Sequence, residues 1–135
     1  MVEVRAPRAY IAGPITSSGS LHENIHNGIK VGEMSRDLGI HPFIPHLYDF
    51  TKIVTGKDID WEKMLQMDEN FIRVCDLIIA LPGDSKGKER EIAFAKARGI
   101  PTIRLMSNDL EHNASEIMAW MYKFHQGNKE TLWTP

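Results

Sequence analysis

A single cysteine, Cys75, stands among 135 residues, so no internal disulfide can staple the chain, and bridge-held secreted scaffolds are excluded. Surplus positive charge is also missing. The 16 Lys and Arg against 18 Asp and Glu leave a formal net charge of −2, which gives no support to extended binding of nucleic-acid phosphates. A small ligand, not a nucleic-acid polymer, is the expected partner. No apolar run approaches the roughly 20 residues of a membrane span, and the start "MVEVRAPRAYIAG" lacks the longer apolar stretch of a signal peptide. The expectation is a soluble cytoplasmic protein with no membrane association. With a single cysteine the chain has no Cys/His cluster, and no metal is expected. Walker A and GxGxxG patterns are absent. ATP hydrolysis and dinucleotide redox chemistry thereby lose their usual signatures, and no cofactor is expected.

What is present is an apolar content of 42% with 25% charged residues, enough for one domain over 1–135 with a real core. Short apolar runs, "RAYIA" (8–12), "HPFIP" (41–45), "DLIIAL" (76–81) and "PTIRLM" (101–106), carry β-branched residues between Pro or Gly borders and read as strands. Helical periodicity predicts helices near 21–38, 60–74, 88–98 and 113–125. This alternation implies parallel βαβ units in an α/β three-layer sandwich, flavodoxin- or Rossmann-like, with a mostly parallel sheet of four or five strands. In the first helix Leu21, Ile25, Gly28, Gly32 and Ser35 share a stripe whose small residues suit close packing on a sheet. Residues 46–59 read as a loop with its own aromatics, and 126–135 as a polar tail ending in "LWTP".

In open α/β sheets ligands gather beyond the carboxyl ends of the strands. "AYIAGPITSSGS" (9–20) leaves the first strand there, and Gly13, Pro14, Thr16, Ser17 and Ser18 offer backbone N–H groups and hydroxyls to an anion such as a nucleotide phosphate. The plainer reading is that Gly and Pro only make the turn. Two carboxylates stand out beside this loop. Glu91 falls near the first turn of the helix after "ALPGDSKGK", where the helix N-terminus favours its ionised form; Glu is common in first turns for that reason alone, and Glu89 is the natural decoy. Asp68 interrupts the apolar stripe Trp61, Met64, Leu65, Phe71, Ile72, Cys75, which makes it either a satisfied structural acid or a working one. Two acids in one pocket, one ionised and one protonated, suit cleavage of a glycosidic bond. His46 follows the second strand and either lines the pocket or packs against Tyr48 or Phe50.

"YIAGPI" (10–15), "PFIPHL" (42–47) and "MDENFIRVCDLIIALPGDSKGKEREIAFAKARGIP" (67–101) together resemble the nucleoside 2-deoxyribosyltransferase family, including the related nucleoside 5′-monophosphate N-glycosidases. The resemblance implies Glu91 as nucleophile, Asp68 as active-site acid and Tyr10 as a hydroxyl beside the sugar. It also implies substrate contacts from Gly13, Pro14, Ser17, Ser18, His46, Asp84, Ser85 and Gly87. The chain departs from the family at Gly87-Lys88, where members often carry Gly-Thr or Gly-Ala. Ser85 is similar to the monophosphate hydrolases, which use a serine at the 5′-phosphate, whereas an alignment on Asp84 gives the transferase pattern. Both stay open.

The implied reaction is a retaining double displacement through a glycosyl-Glu91 intermediate, with 2-deoxyribose passed to a second base or to water. Relatives complete their pockets with a neighbouring subunit, so a homodimer or higher homo-oligomer is expected, reached by the tail or by the preceding helix with Met118, Trp120, Met121 and Phe124. The rival is a non-catalytic nucleotide-binding sensor on the same fold, against which two acids beside an anionic ligand argue.

Overall fold

"RAYIA" forms β1 (Arg8–Ala12) because its side chains after Arg8 are all buried and alternate between two apolar layers. Ala9 and Ile11 face one side, Tyr10 and Ala12 the other. Burial on both faces is what a central parallel strand requires. The computed structural model of the protein describes residues 5–15, 20–58 and 60–132; Thr16, Ser17, Ser18 and Trp133 lie outside them. The elements run β1, α1 (Leu21–Asp37), β2 (His41–Phe43), a short 3-10 helix (Pro45–Asp49), α2 (Phe50–Thr55), α3 (Trp61–Ile72), β3 (Leu77–Ala80), α4 (Lys86–Ala97), β4 (Thr102–Arg104) and α5 (Leu110–Leu132). The expected α/β sandwich is present, with four strands, all parallel, in the order β2-β1-β3-β4.

One core layer joins Ile11, Ile40, Leu77, Ile79 and Leu105 to Val31 of α1 and Ile117 of α5. The opposite layer joins Tyr10, Ala12, Ile78 and Ala80 to Ile72 of α3 and to Ile92 and Ala95 of α4. Three helices begin on short polar caps. Ser20, Asp60 and Ser85 accept hydrogen bonds from the backbone N–H of Glu23, Lys63 and Lys88 at 3.0, 3.1 and 3.1 Å, satisfying donors that a helix start leaves orphaned.

Three sequence expectations are corrected. Residues 46–59 are not a plain loop, since the 3-10 helix and α2 occupy Pro45–Thr55; the β-branched "FTKIVT" carries little helical signal. The 126–135 segment is not a separate tail, because α5 continues to Leu132. The helix bearing Glu91 starts at Lys86, capped by Ser85, so Glu91 sits in its second turn. There the field of the helix N-terminus has largely fallen off.

The strand order reverses between β1 and β3, the point at which such sheets open a crevice at their carboxyl ends. Residues 13–15 after β1 and the 81–85 loop after β3 flank it.

Candidate active site

Tyr10 of β1, Asp68 of α3 and Glu91 of α4 come together on the α3/α4 side of this crevice. All three are buried, at 0%, 4% and 5% exposure. Tyr10 points there because its cross-strand partner Phe43 stacks on its ring with centroids 5.6 Å apart, and Phe71 of α3 stacks on Phe43 at 4.3 Å. The phenol hydroxyl donates a hydrogen bond to Glu91 Oε2. It has a single proton to give, so Asp68 receives the weaker share. Asp68 Oδ1 is buried with no hydrogen-bond partner among the described residues. Unsatisfied buried oxygens are rare, and such an atom marks a place where a ligand or proton completes the set.

Burial dominates the electrostatics. It pushes Glu91 up to about 8, assisted by the nearby Asp68 and Glu69 charges, while the Tyr10 hydroxyl and Arg90 pull it down. Asp68 is pushed up to about 6, again first by burial, with Tyr10 opposing and Glu69 adding. Burial and the two carboxylates raise the Tyr10 phenol, which stays protonated. The expectation that a helix N-terminus holds Glu91 ionised is therefore corrected: the dry site resists its charge. The two acids titrate as a pair, retaining one proton between the lower and upper values.

The loops around the pair are held from behind. Gly13 is glycine for packing, since a Cβ there would meet Leu81 Cδ1 at 2.6 Å. Asn24 of α1, itself buried, donates to Ile15 O at 3.0 Å. His46 is wholly buried with its ring against α1, where a Cβ at Gly28 would come within 2.6 Å of it. Neither ring nitrogen has a partner of good geometry among the described residues. Burial lowers its pKa to about 4 despite the adjacent Pro14 backbone, so it stays neutral. Ser85 serves as the α4 cap, Asp84 is exposed, and Glu89 lies outside the cluster in a bidentate pair with Arg104 of β4 at 2.9 and 3.0 Å.

Two residues escaped the sequence reading. Lys88 is 7% exposed, and its ammonium donates to Leu81 O at 3.2 Å and to Gly83 O, tying down the 81–85 loop. Arg90 bridges α4 to α3 through Glu62 and Glu69. A signal existed for the first: Lys88, Glu91, Ile92 and Ala95 follow the i, i+3, i+4, i+7 spacing of a buried stripe, and all four are buried. Among the described residues no group of three His, Cys, Asp or Glu is arranged as a metal-ligand set, and no helix is long and apolar enough to cross a membrane. A cleft of about 410 Å3 lined by His22, Glu23, His26, Asn27 and Asn108 includes none of the three clustered residues.

Solved structures share this fold. A conserved protein from Enterococcus faecalis V583 aligns at 22% identity and TM-score 0.56 over 77% of this chain and 65% of that one. A 2-desoxiribosyltransferase from Leishmania mexicana aligns at 24% and 0.52 over 74% and 64%. The CMP N-glycosidase BcmB of Clostridium botulinum aligns at 14% and 0.51 over 84% and 98%. The chain thus spans just under two thirds of the length of the first two. No curated protein matches it. A family model described as a domain of unknown function (DUF7768) matches residues 7–105, and the chain belongs to that family.

Proposed function

We propose that the protein cleaves the N-glycosidic bond of a 2′-deoxynucleoside or its 5′-monophosphate through a covalent glycosyl-Glu91 intermediate. The observation that carries this reading is the buried Glu91–Tyr10–Asp68 cluster beside the switch-point crevice. The fold it shares with a 2-desoxiribosyltransferase and a CMP N-glycosidase supports it. Glu91 has two oxygens, of which Oε2 is held by Tyr10. Oε1 is left to attack C1′ as the C1′–N bond breaks and its electron pair departs with the base. Asp68 supplies the proton that neutralises the leaving nitrogen. Positive charge growing at C1′ favours charge on Glu91, and the base nitrogen draws the proton from Asp68. The reacting complex thus assigns the pair's single proton to Asp68. Water or a second base then attacks C1′, the Glu91–C1′ bond breaks, and Asp68 recovers its proton. A 2′-hydroxyl would inductively destabilise the oxocarbenium-like transition state, which favours deoxyribose.

Lys88 favours the 5′-monophosphate over the free nucleoside. Its buried ammonium lies one helical turn before Glu91 and has no ion-pair partner among the described residues. A dianionic phosphate at the Ser85–Lys88 turn supplies a countercharge to an ammonium otherwise held by two backbone carbonyls. Gly87 is open to such an approach, since a Cβ there meets only Leu65 and Ser85 at 3.8 Å and packing does not require glycine.

Incubation with deoxynucleosides and their 5′-monophosphates, followed by chromatography for free base, tests both statements. The parent protein is expected to release base, faster from monophosphates, and Glu91→Ala to release none. Nucleotide binding without turnover in the parent favours the sensor reading instead.

A further inference from the structure

The residues next to the two acids in sequence, Glu69 after Asp68 and Arg90 before Glu91, also meet across the α3–α4 seam. Arg90 Nη2 donates to Glu69 Oε1 at 3.0 Å, and the guanidinium takes both oxygens of Glu62 at 2.9 and 3.0 Å. Glu62 and Glu69 are seven residues apart, two turns of α3 on nearly the same face. One planar fork therefore grips the helix at two levels. The inner pair is dry and the outer triad partly wet, with side-chain exposure of 34% at Arg90, 53% at Glu62 and 17% at Glu69.

We propose that Arg90 is a positioning residue of the site: gripping Glu62 and Glu69, its guanidinium fixes the register of α4 against α3, closes the seam to water and thereby sets Glu91 against Asp68. Three elements bring charged or titratable groups to bear on Glu91. These are Tyr10 from β1, Asp68 and Glu69 from α3, and Arg90 from α4 itself. Losing the Arg90 charge, with nothing else changed, raises the Glu91 midpoint, because a cation nearby favours the carboxylate. Opening the seam does the reverse, since water relieves the burial that raises both acids. The two effects have opposite signs, so the direction of the shift separates a clamp from a bystander charge.

The test is a carboxyl 13C NMR titration of Glu91 and Asp68 in the parent, Arg90→Met and Glu62→Gln, each first shown by circular dichroism to be folded. The charges that shift Glu91 are those of Asp68, Glu69 and Arg90, so the Glu62 variant loosens the clamp while leaving those three in place. Both variants are expected to lower the Glu91 midpoint toward the ordinary carboxylate range, Arg90→Met by about one pH unit or more and Glu62→Gln by less. A midpoint unchanged or raised in both overturns the inference. For kinetics the proposal rests on the glycosidic reading, and there Arg90→Met is expected to lower kcat about tenfold with KM little changed. The titration stands apart from that reading: falling midpoints in a protein that releases no base sustain the clamp and sink the proposed function alone.

Discussion

Replacing Glu91 with glutamine removes a carboxyl whose charge the fold resists, so the variant is expected to be inactive yet more stable than the parent at neutral pH and above. Glu91 has an ordinary value of 4.5 and is pushed up to about 8 in the folded protein. Between these two values the folded state binds more protons than the unfolded one. Parent stability therefore falls as pH rises through this window and levels off above it. At about 1.4 kcal/mol per pH unit, the penalty from Glu91 is about 5 kcal/mol above pH 8 and about 3 kcal/mol at pH 7. Glutamine keeps an oxygen for the Tyr10 hydroxyl but brings an amide that needs partners in the same dry site, which returns about 1–2 kcal/mol. The net gain is about 1–2 kcal/mol at pH 7, a rise in Tm of roughly 3–6 °C for a domain of this size. Urea unfolding of parent and variant across about pH 4 to 9 measures it as a difference. The subtraction matters because neutral His46, held at about 4 against an ordinary 6.5, separately costs the parent stability as pH falls through that lower window. A difference curve flat from 4.5 to 8, or a variant less stable throughout, refutes the reasoning.

Base release should follow a bell in pH, because the reaction needs one proton on the acid pair. Activity is expected to decline below about 6 as both acids protonate and above about 8 as both ionise; a rate that climbs steadily across that range contradicts the shared proton. Asp68→Asn should slow turnover more than tenfold, the scale of lost acid catalysis at about 10²-fold or more, without lowering the melting temperature, since a buried oxygen with no partner contributes little to folding. Full activity in that variant assigns proton donation elsewhere. The chain is expected to form a homodimer through α5, whose Met118 and Tyr122 are 55% and 69% exposed. Light scattering that finds a monomer at micromolar concentration removes this expectation.

The strands and most helices were legible in the sequence because their signals are local. "RAYIA" and "DLIIAL" are apolar on both faces, as buried parallel strands must be, and the helices between them carry their own periodicity. Asp68 could be singled out for a similar reason, because it interrupts an apolar stripe within one helical turn, whereas Glu91 stood out by its place near the start of the helix after β3 and by the family resemblance. Helix boundaries were less legible. Ser85 starts α4 two residues earlier than periodicity suggested, and α2 forms from residues that do not favour helix by themselves.

Their meeting was decided only by the tertiary structure. Tyr10, Asp68 and Glu91 lie far apart along the chain, and no local pattern says that β3 pairs with β1 on the side opposite β2 or that Tyr10 points toward α3 and α4 rather than toward α1 and α5. That choice fixes which side chains lose water together. Burial in turn reversed the local electrostatic expectation at Glu91, because desolvation depends on everything packed around a group, whereas the helix field acts only within the first turn. Residue type and spacing marked the acids; the strand order and the burial it imposes made them a coupled pair.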